Sequence, residues 1–218
     1  MPTPEARSGP VRNWIWRIGQ WPVSVFFRLW APLAVEGLEN IDPTKPGLLV
    51  ANHQSYLDPL LLAVRMDRPV SYVARDSLFR IPGLGWLLRN THVTPISRTA
   101  ARAATIRAAL QRLEEGFLVG IFPEGTRCSG GVSEFRPGVA AILKRCDVPV
   151  YPVGIAGADR VLPRGSWFIR PRRIRVVFGP AIPAGEMGAV ATHGSKFELV
   201  DFVRERVVEL HDAAQKNV

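Results

Sequence analysis

Residues 48 to 51, Leu48-Leu49-Val50-Ala51, form an apolar run bounded by Gly47 and followed at once by Asn52-His53-Gln54-Ser55-Tyr56-Leu57-Asp58-Pro59. The run is too short for a helix and does not alternate, which is the pattern of a strand covered on both faces. Asp58-Pro59 has the form of a helix start, a capping carboxylate followed by proline at the first helical position. His53 therefore stands at a strand's carboxyl end, where open α/β sheets hold their sites. A single tight loop between His53 and Asp58 brings the carboxylate to one imidazole nitrogen and leaves the other for a substrate, as an oriented general base requires. The spacing alone also fits a helix-capping carboxylate beside an ordinary loop histidine, so other parts of the chain must decide.

The rest of the sequence continues the α/β rhythm. Short strands are expected at 70–74, 93–97, 117–122, 148–155 and 173–178, the last as a half-exposed edge because arginine alternates with apolar residues. Helices are expected from Pro59 to Met66, from about Thr99 to Gly116, from Phe135 to Cys146, and from the capping-box pattern Ser195-Lys196-Phe197-Glu198 onward. Residues 76 to 90 are apolar but interrupted by Pro82, Gly83 and Gly85, and look ill suited to a regular element. We expect one α/β domain over residues 36–218, a mixed, mainly parallel sheet flanked by helices.

With 218 residues and 47% hydrophobic content the chain can bury one sizeable core. The formal charge of +9 calls for anionic partners: nucleic acid, phosphorylated small molecules or an acidic lipid surface. Dispersed arginines without a base-reading motif argue against nucleic acid. Cys128 and Cys146 fit neither a disulfide framework nor a zinc site, and the four histidines form no metal cluster, so no metal or cofactor is expected and a reducing setting is. Residues 1–35 hold Trp14, Trp16, Trp21 and Trp30 beside arginines, as suits a membrane interface. Arg17 and Arg28 leave only Ile18 to Phe27 between them, short of the roughly 20 apolar residues of a transmembrane span. An amphipathic segment lying on the membrane, divided or kinked at Pro22, is the expectation; packing of these aromatics on the domain's own core is the alternative.

The second polar cluster, Phe122-Pro123-Glu124-Gly125-Thr126-Arg127, also ends an apolar strand. By itself it fits a tight turn with an ion pair. Together with Asn52-His53-x-x-x-x-Asp58 it resembles the glycerolipid acyltransferase family that includes the 1-acyl-glycerol-3-phosphate (lysophosphatidate) acyltransferases. The resemblance runs from about Gly37 to Pro180. Ile96-Ser97-Arg98 matches the end of the family's second block, with His92 and Pro95 where a glycine and an aromatic are usual. The apolar stretch around Pro149 and Pro152 matches a fourth block.

The resemblance implies that His53, oriented by Asp58, deprotonates a glycerol hydroxyl as it attacks a fatty acyl thioester, carried by CoA or acyl-carrier protein. No covalent acyl-enzyme is required, in agreement with the absence of a Gly-x-Ser-x-Gly elbow; Ser55 and Cys128 are then structural. Arg75, Arg98 and Arg127 would hold the acceptor's phosphate. Glu124, Gly125 and Thr126 belong to the acceptor pocket, with Glu124 bonding the glycerol or fixing Arg127. The expected product is phosphatidate, made at the cytoplasmic face of the cell membrane by a peripheral or monotopic protein; glycerol 3-phosphate or a lyso-aminolipid is the alternative acceptor.

Overall fold

The computed structural model describes residues 14–97, 102–193 and 195–218, with side chains of the first helix described from Ile18 onward. Its centre is β2 (Gly47–Ala51), whose five residues are all buried. The run alternates between two cores: Leu49 and Ala51 belong to one apolar cluster, Leu48 and Val50 to the other. A strand sandwiched in this way cannot be an edge, and β2 lies between β5 (Leu118–Ile121) and β6 (Val150–Ala156), parallel to both.

Further strands are β1 (Leu33–Glu36), β3 (Val70–Arg75), β4 (Thr94–Ile96) and β7 (Ile174–Phe178). They complete a seven-stranded sheet in the order β1-β7-β6-β2-β5-β3-β4. β7 runs antiparallel to β6 and parallel to β1; every other neighbouring pair is parallel. The expected mixed, mainly parallel sheet is thus present. The edge next to β7 belongs to β1, a strand not anticipated, which crosses the expected boundary at residue 35. Arg175 of β7, read as facing solvent at an edge, pairs with Glu36 of β1.

The chain leaves β2 through α2 (Asp58–Ala63), whose Leu61 and Leu62 enter the first cluster. It leaves β5 through α5 (Ala140–Leu143), which enters the second, against Val203 and Val207 of the long C-terminal helix. Adjacent strands whose connections depart to opposite faces leave a crevice at their carboxyl ends. The chain's two polar motifs lie at that crevice.

The remaining helices are α1 (Trp14–Leu29), α3 (Leu84–Asn90), α4 (Arg102–Glu114), α6 (Ala158–Val161), α7 (Ala184–His193) and α8 (Lys196–Gln215). Ser195 caps α8 as its sequence indicates, accepting from the Glu198 N–H at 3.2 Å. Three expectations are corrected. The helix expected from Phe135 starts only at Pro137, as a 3-10 turn leading into α5. The interrupted stretch 76–90 does contain a helix, α3: Gly85 serves it as a contact point, since a Cβ there would lie 2.1 Å from the Phe79 carbonyl oxygen. Pro22 does not divide the first segment, which runs through it as one helix. Packing on both sides of the proline explains this. Gln20 Nε2 donates to the Met66 carbonyl at 2.8 Å, while Phe27 is buried and Val23 and Phe26 pack against the first cluster. The face carrying Ile18, Trp21 and Leu29 stays exposed. Among the described residues no helix is long and apolar enough to cross a membrane.

Candidate active site

His53 leaves β2 two residues after Ala51, and the residue between them fixes its direction. Asn52 is fully buried; its Nδ2 donates to the Ile155 carbonyl at 2.9 Å and its Oδ1 accepts from the Ile155 N–H at 2.7 Å. This side chain thus extends the β2–β6 ladder beyond the strand and satisfies both of its own polar atoms. His53 is then held from the other flank by the β5 loop. Its N–H donates to Glu124 Oε1 at 3.0 Å, and its carbonyl accepts from the Cys128 N–H at 2.8 Å.

The imidazole lies on Phe122, with ring centroids 4.5 Å apart and planes at 24°. Nδ1 stands 2.7 Å from Asp58 Oδ2. Asp58 was expected to cap a helix, but it is the first residue of α2 and bonds back toward the loop before it. Oδ2 accepts from the Gln54 N–H at 2.6 Å and the Ser55 N–H at 2.8 Å. Three donors on one oxygen fix the carboxylate and, through it, the ring. Oδ1 is buried with no partner. Burial pushes the Asp58 carboxyl above its usual range, opposed by hydrogen bonds from His53 and the two amides. A carboxylate accepting at Nδ1 puts the proton there and leaves Nε2 as the basic atom; the His53 side chain is 19% exposed.

Glu124 is buried, and both its oxygens are engaged: Oε1 with the His53 amide, Oε2 with the Ser133 hydroxyl at 2.7 Å. Its place is therefore under the histidine loop, where it holds the backbone, instead of against Arg127. Gly125 has φ 66, and a Cβ would come 2.4 Å from Arg136 Nε, which donates to the Glu124 carbonyl at 3.1 Å. The close approach to the backbone that this glycine permits is made by Arg136. Thr126 is exposed. Arg127 lays its guanidinium on the Tyr56 ring, Cζ 3.5 Å from the centroid, and its Nη1 is buried without a hydrogen-bond partner. Arg75 is exposed at the carboxyl end of β3, on the same sheet edge. Arg98 follows the end of β4 by two positions in the sequence and lies outside the described residues.

The sequence reading missed Ser133, Phe122 and Arg136 as parts of the site. Ser133 and Arg136 follow Glu124 on irregular chain, where spacing carries no orientation. Phe122 stood in the second motif as its first residue, but the motif gave it no role. Ser55 and Cys128, expected to be structural, make bonds of that kind: Ser55 Oγ donates to the Leu162 carbonyl at 3.0 Å and Cys128 Sγ contacts Ser133 Oγ at 3.2 Å. His92 has φ 61, a conformation that favours glycine.

The Acyltransferase family model matches residues 32–156, which spans both motifs. A 1-acyl-sn-glycerol-3-phosphate acyltransferase of Pseudomonas aeruginosa is 32% identical over 94% of this chain and 79% of its own length. The chloroplastic 1-acyl-sn-glycerol-3-phosphate acyltransferase of Arabidopsis thaliana is 28% identical over 85% of this chain. The chain spans about half the length of that relative, 53%. Among solved structures, the 1-acyl-sn-glycerophosphate acyltransferase PlsC of Thermotoga maritima superposes with a TM-score of 0.74 at 28% identity, covering 91% of this chain and 77% of that one. Fold, motif geometry and similarity agree, and the chain belongs to the acyltransferase family.

Proposed function

We propose that the protein transfers a fatty acyl group from a thioester donor, acyl-CoA or acyl-carrier protein, to the free hydroxyl of 1-acyl-glycerol 3-phosphate, giving phosphatidate. The observation that carries this reading is the 2.7 Å contact of His53 Nδ1 with a carboxylate that two backbone amides hold in place. His53 Nε2 takes the hydroxyl proton as the oxygen attacks the thioester carbon. The C–S bond breaks, and the thiolate leaves with the proton returned by the imidazolium. No acyl group resides on the enzyme.

Arg127 is the phosphate donor the geometry favours, because a buried guanidinium nitrogen without a partner awaits an acceptor and the Tyr56 face fixes its plane. Arg75, exposed at the end of β3, is a second phosphate-binding candidate, and Arg98 is retained as a third from the sequence resemblance alone. The α1 segment, with Trp21 and Leu29 exposed, is proposed to lie on the cytoplasmic surface of the membrane as residues 1–35 of a peripheral protein. The test is release of free thiol and formation of labelled lipid from acyl-CoA with a panel of acceptors. Turnover is expected with lysophosphatidate; turnover with glycerol 3-phosphate alone, or with lysolipids lacking a phosphate monoester, overturns the assignment. Arg127→Ala is expected to raise the KM for lysophosphatidate about 10–100-fold, the effect of losing one charged hydrogen bond, with a smaller change in kcat. An unchanged KM removes Arg127 from the phosphate site.

A further inference from the structure

Between α6 and β7 the chain makes an ordered excursion at the carboxyl end of β6. The Arg170 N–H donates to the Val161 carbonyl at 2.8 Å, and the Ser166 N–H to the Pro163 carbonyl at 3.1 Å across a turn in which Gly165 has φ 84. Ser166 Oγ accepts from the Phe168 N–H at 3.2 Å. These bonds fix the loop, yet it presents Trp167 at 90% exposure and Phe168 at 52%, their rings edge to face at 6.3 Å. Arg164, Arg170, Arg172 and Arg173 are exposed around them.

The loop is continuous with two other parts of the molecule. Trp30 Nε1, just beyond α1, donates to the Ile169 carbonyl at 3.0 Å, joining the loop to the helix that exposes Ile18, Trp21 and Leu29. Leu162 accepts from Ser55 Oγ, and Asp159 of α6 accepts from the Gly130 N–H at 3.1 Å, tying the base of the loop to the strand ends that carry His53 and Arg127. Exposed tryptophan beside arginine matches one environment: an amphipathic ring seats at the depth of lipid headgroups while cations meet anionic phosphates.

We propose that residues 163–173 form an interfacial anchor of the catalytic domain, separate from α1. Trp167 and Phe168 seat among the headgroups of an anionic bilayer, Arg164, Arg170, Arg172 and Arg173 pair with its phosphates, and the sheet edge bearing His53 faces the lipid. Such an anchor lets an acceptor reach His53 from the bilayer without entering water. The lipid contact stands apart from the acyl-transfer reading, because binding is measured without turnover; only the acceptor's route to His53 rests on that reading.

The test is cosedimentation of the full chain with vesicles of phosphatidylglycerol and phosphatidylcholine, against vesicles of phosphatidylcholine alone. Trp167→Ser with Phe168→Ser is expected to weaken partition onto the anionic vesicles by about tenfold or more, and Arg170→Glu with Arg172→Glu to abolish the preference for them. Both sets of side chains are exposed, so the thermal midpoint should not move. A partition within about twofold of the unaltered protein in both double variants overturns the proposal and leaves α1 as the anchor. A second measurement needs no variant: anionic vesicles should slow tryptic cleavage after Arg164 by about tenfold or more in the unaltered protein, and unchanged cleavage overturns the proposal equally.

Discussion

Replacing His53 by alanine is expected to lower kcat by about 10²–10⁴-fold, the usual contribution of a positioned general base, with little change in the KM for the acceptor. The fold should survive the change. Glu124 and Cys128 hold residue 53 through its backbone, and Asp58 Oδ2 keeps its two amide donors. What is lost is the stack on Phe122 and the imidazole nitrogen, and under the proposed mechanism only the second enters the reaction. Steady-state thiol release alongside a thermal unfolding curve checks both halves of the expectation. A variant that unfolds at the normal temperature and turns over within about tenfold of the unaltered protein would remove His53 from the chemistry.

Asp58 differs, because the same oxygen that orients the imidazole also closes the loop. Asp58→Ala strands two buried N–H groups and is expected to cost roughly 2–5 kcal/mol of stability as well as turnover. In a chain of this length that lowers the thermal midpoint by about 4–20 °C. Asp58→Asn separates the two roles. An amide oxygen in the Oδ2 position still accepts from Gln54 and Ser55, so the loop closes, while the charge opposing the imidazolium is gone. The asparagine variant is expected to lose about 10–100-fold in kcat, the value of one charged hydrogen bond, and to unfold closer to the unaltered protein than the alanine variant does. Equal losses of stability in the two variants would show that the loop does not depend on the Asp58 acceptor.

Much of this site was legible in the sequence because its parts are local. The Leu48–Ala51 run announces a strand buried on both faces, and it is the central strand of the sheet. His53 and Asp58 are close enough in the chain for one loop to join them, and they meet. The two motifs each follow an apolar run, and their strands prove to be hydrogen-bonded neighbours. What stayed hidden depends on partners far along the chain. Asn52 needs Ile155, Glu124 needs the His53 amide, and β1 is only four residues that become a strand by pairing with β7. Spacing arguments cannot see such partners. Glu124 shows the cost: a carboxylate in a motif reads as a ligand for substrate or arginine, whereas here its oxygens serve a backbone amide and a serine. Pro22 misleads in the opposite direction, since a local rule allows the segment to divide there, whereas with Gln20, Phe26 and Phe27 packed on the domain it stays one helix.

The central claim is direct attack by the acceptor hydroxyl, with His53 as base and no acyl group held by the protein. Rapid-mixing measurement of thiol release from the acyl donor, with and without acceptor, tests it most closely. Release should start only when acceptor is present and show no burst, and quenched enzyme should carry no acyl label. A burst equal to the enzyme concentration without acceptor, leaving label on the chain, would contradict the account.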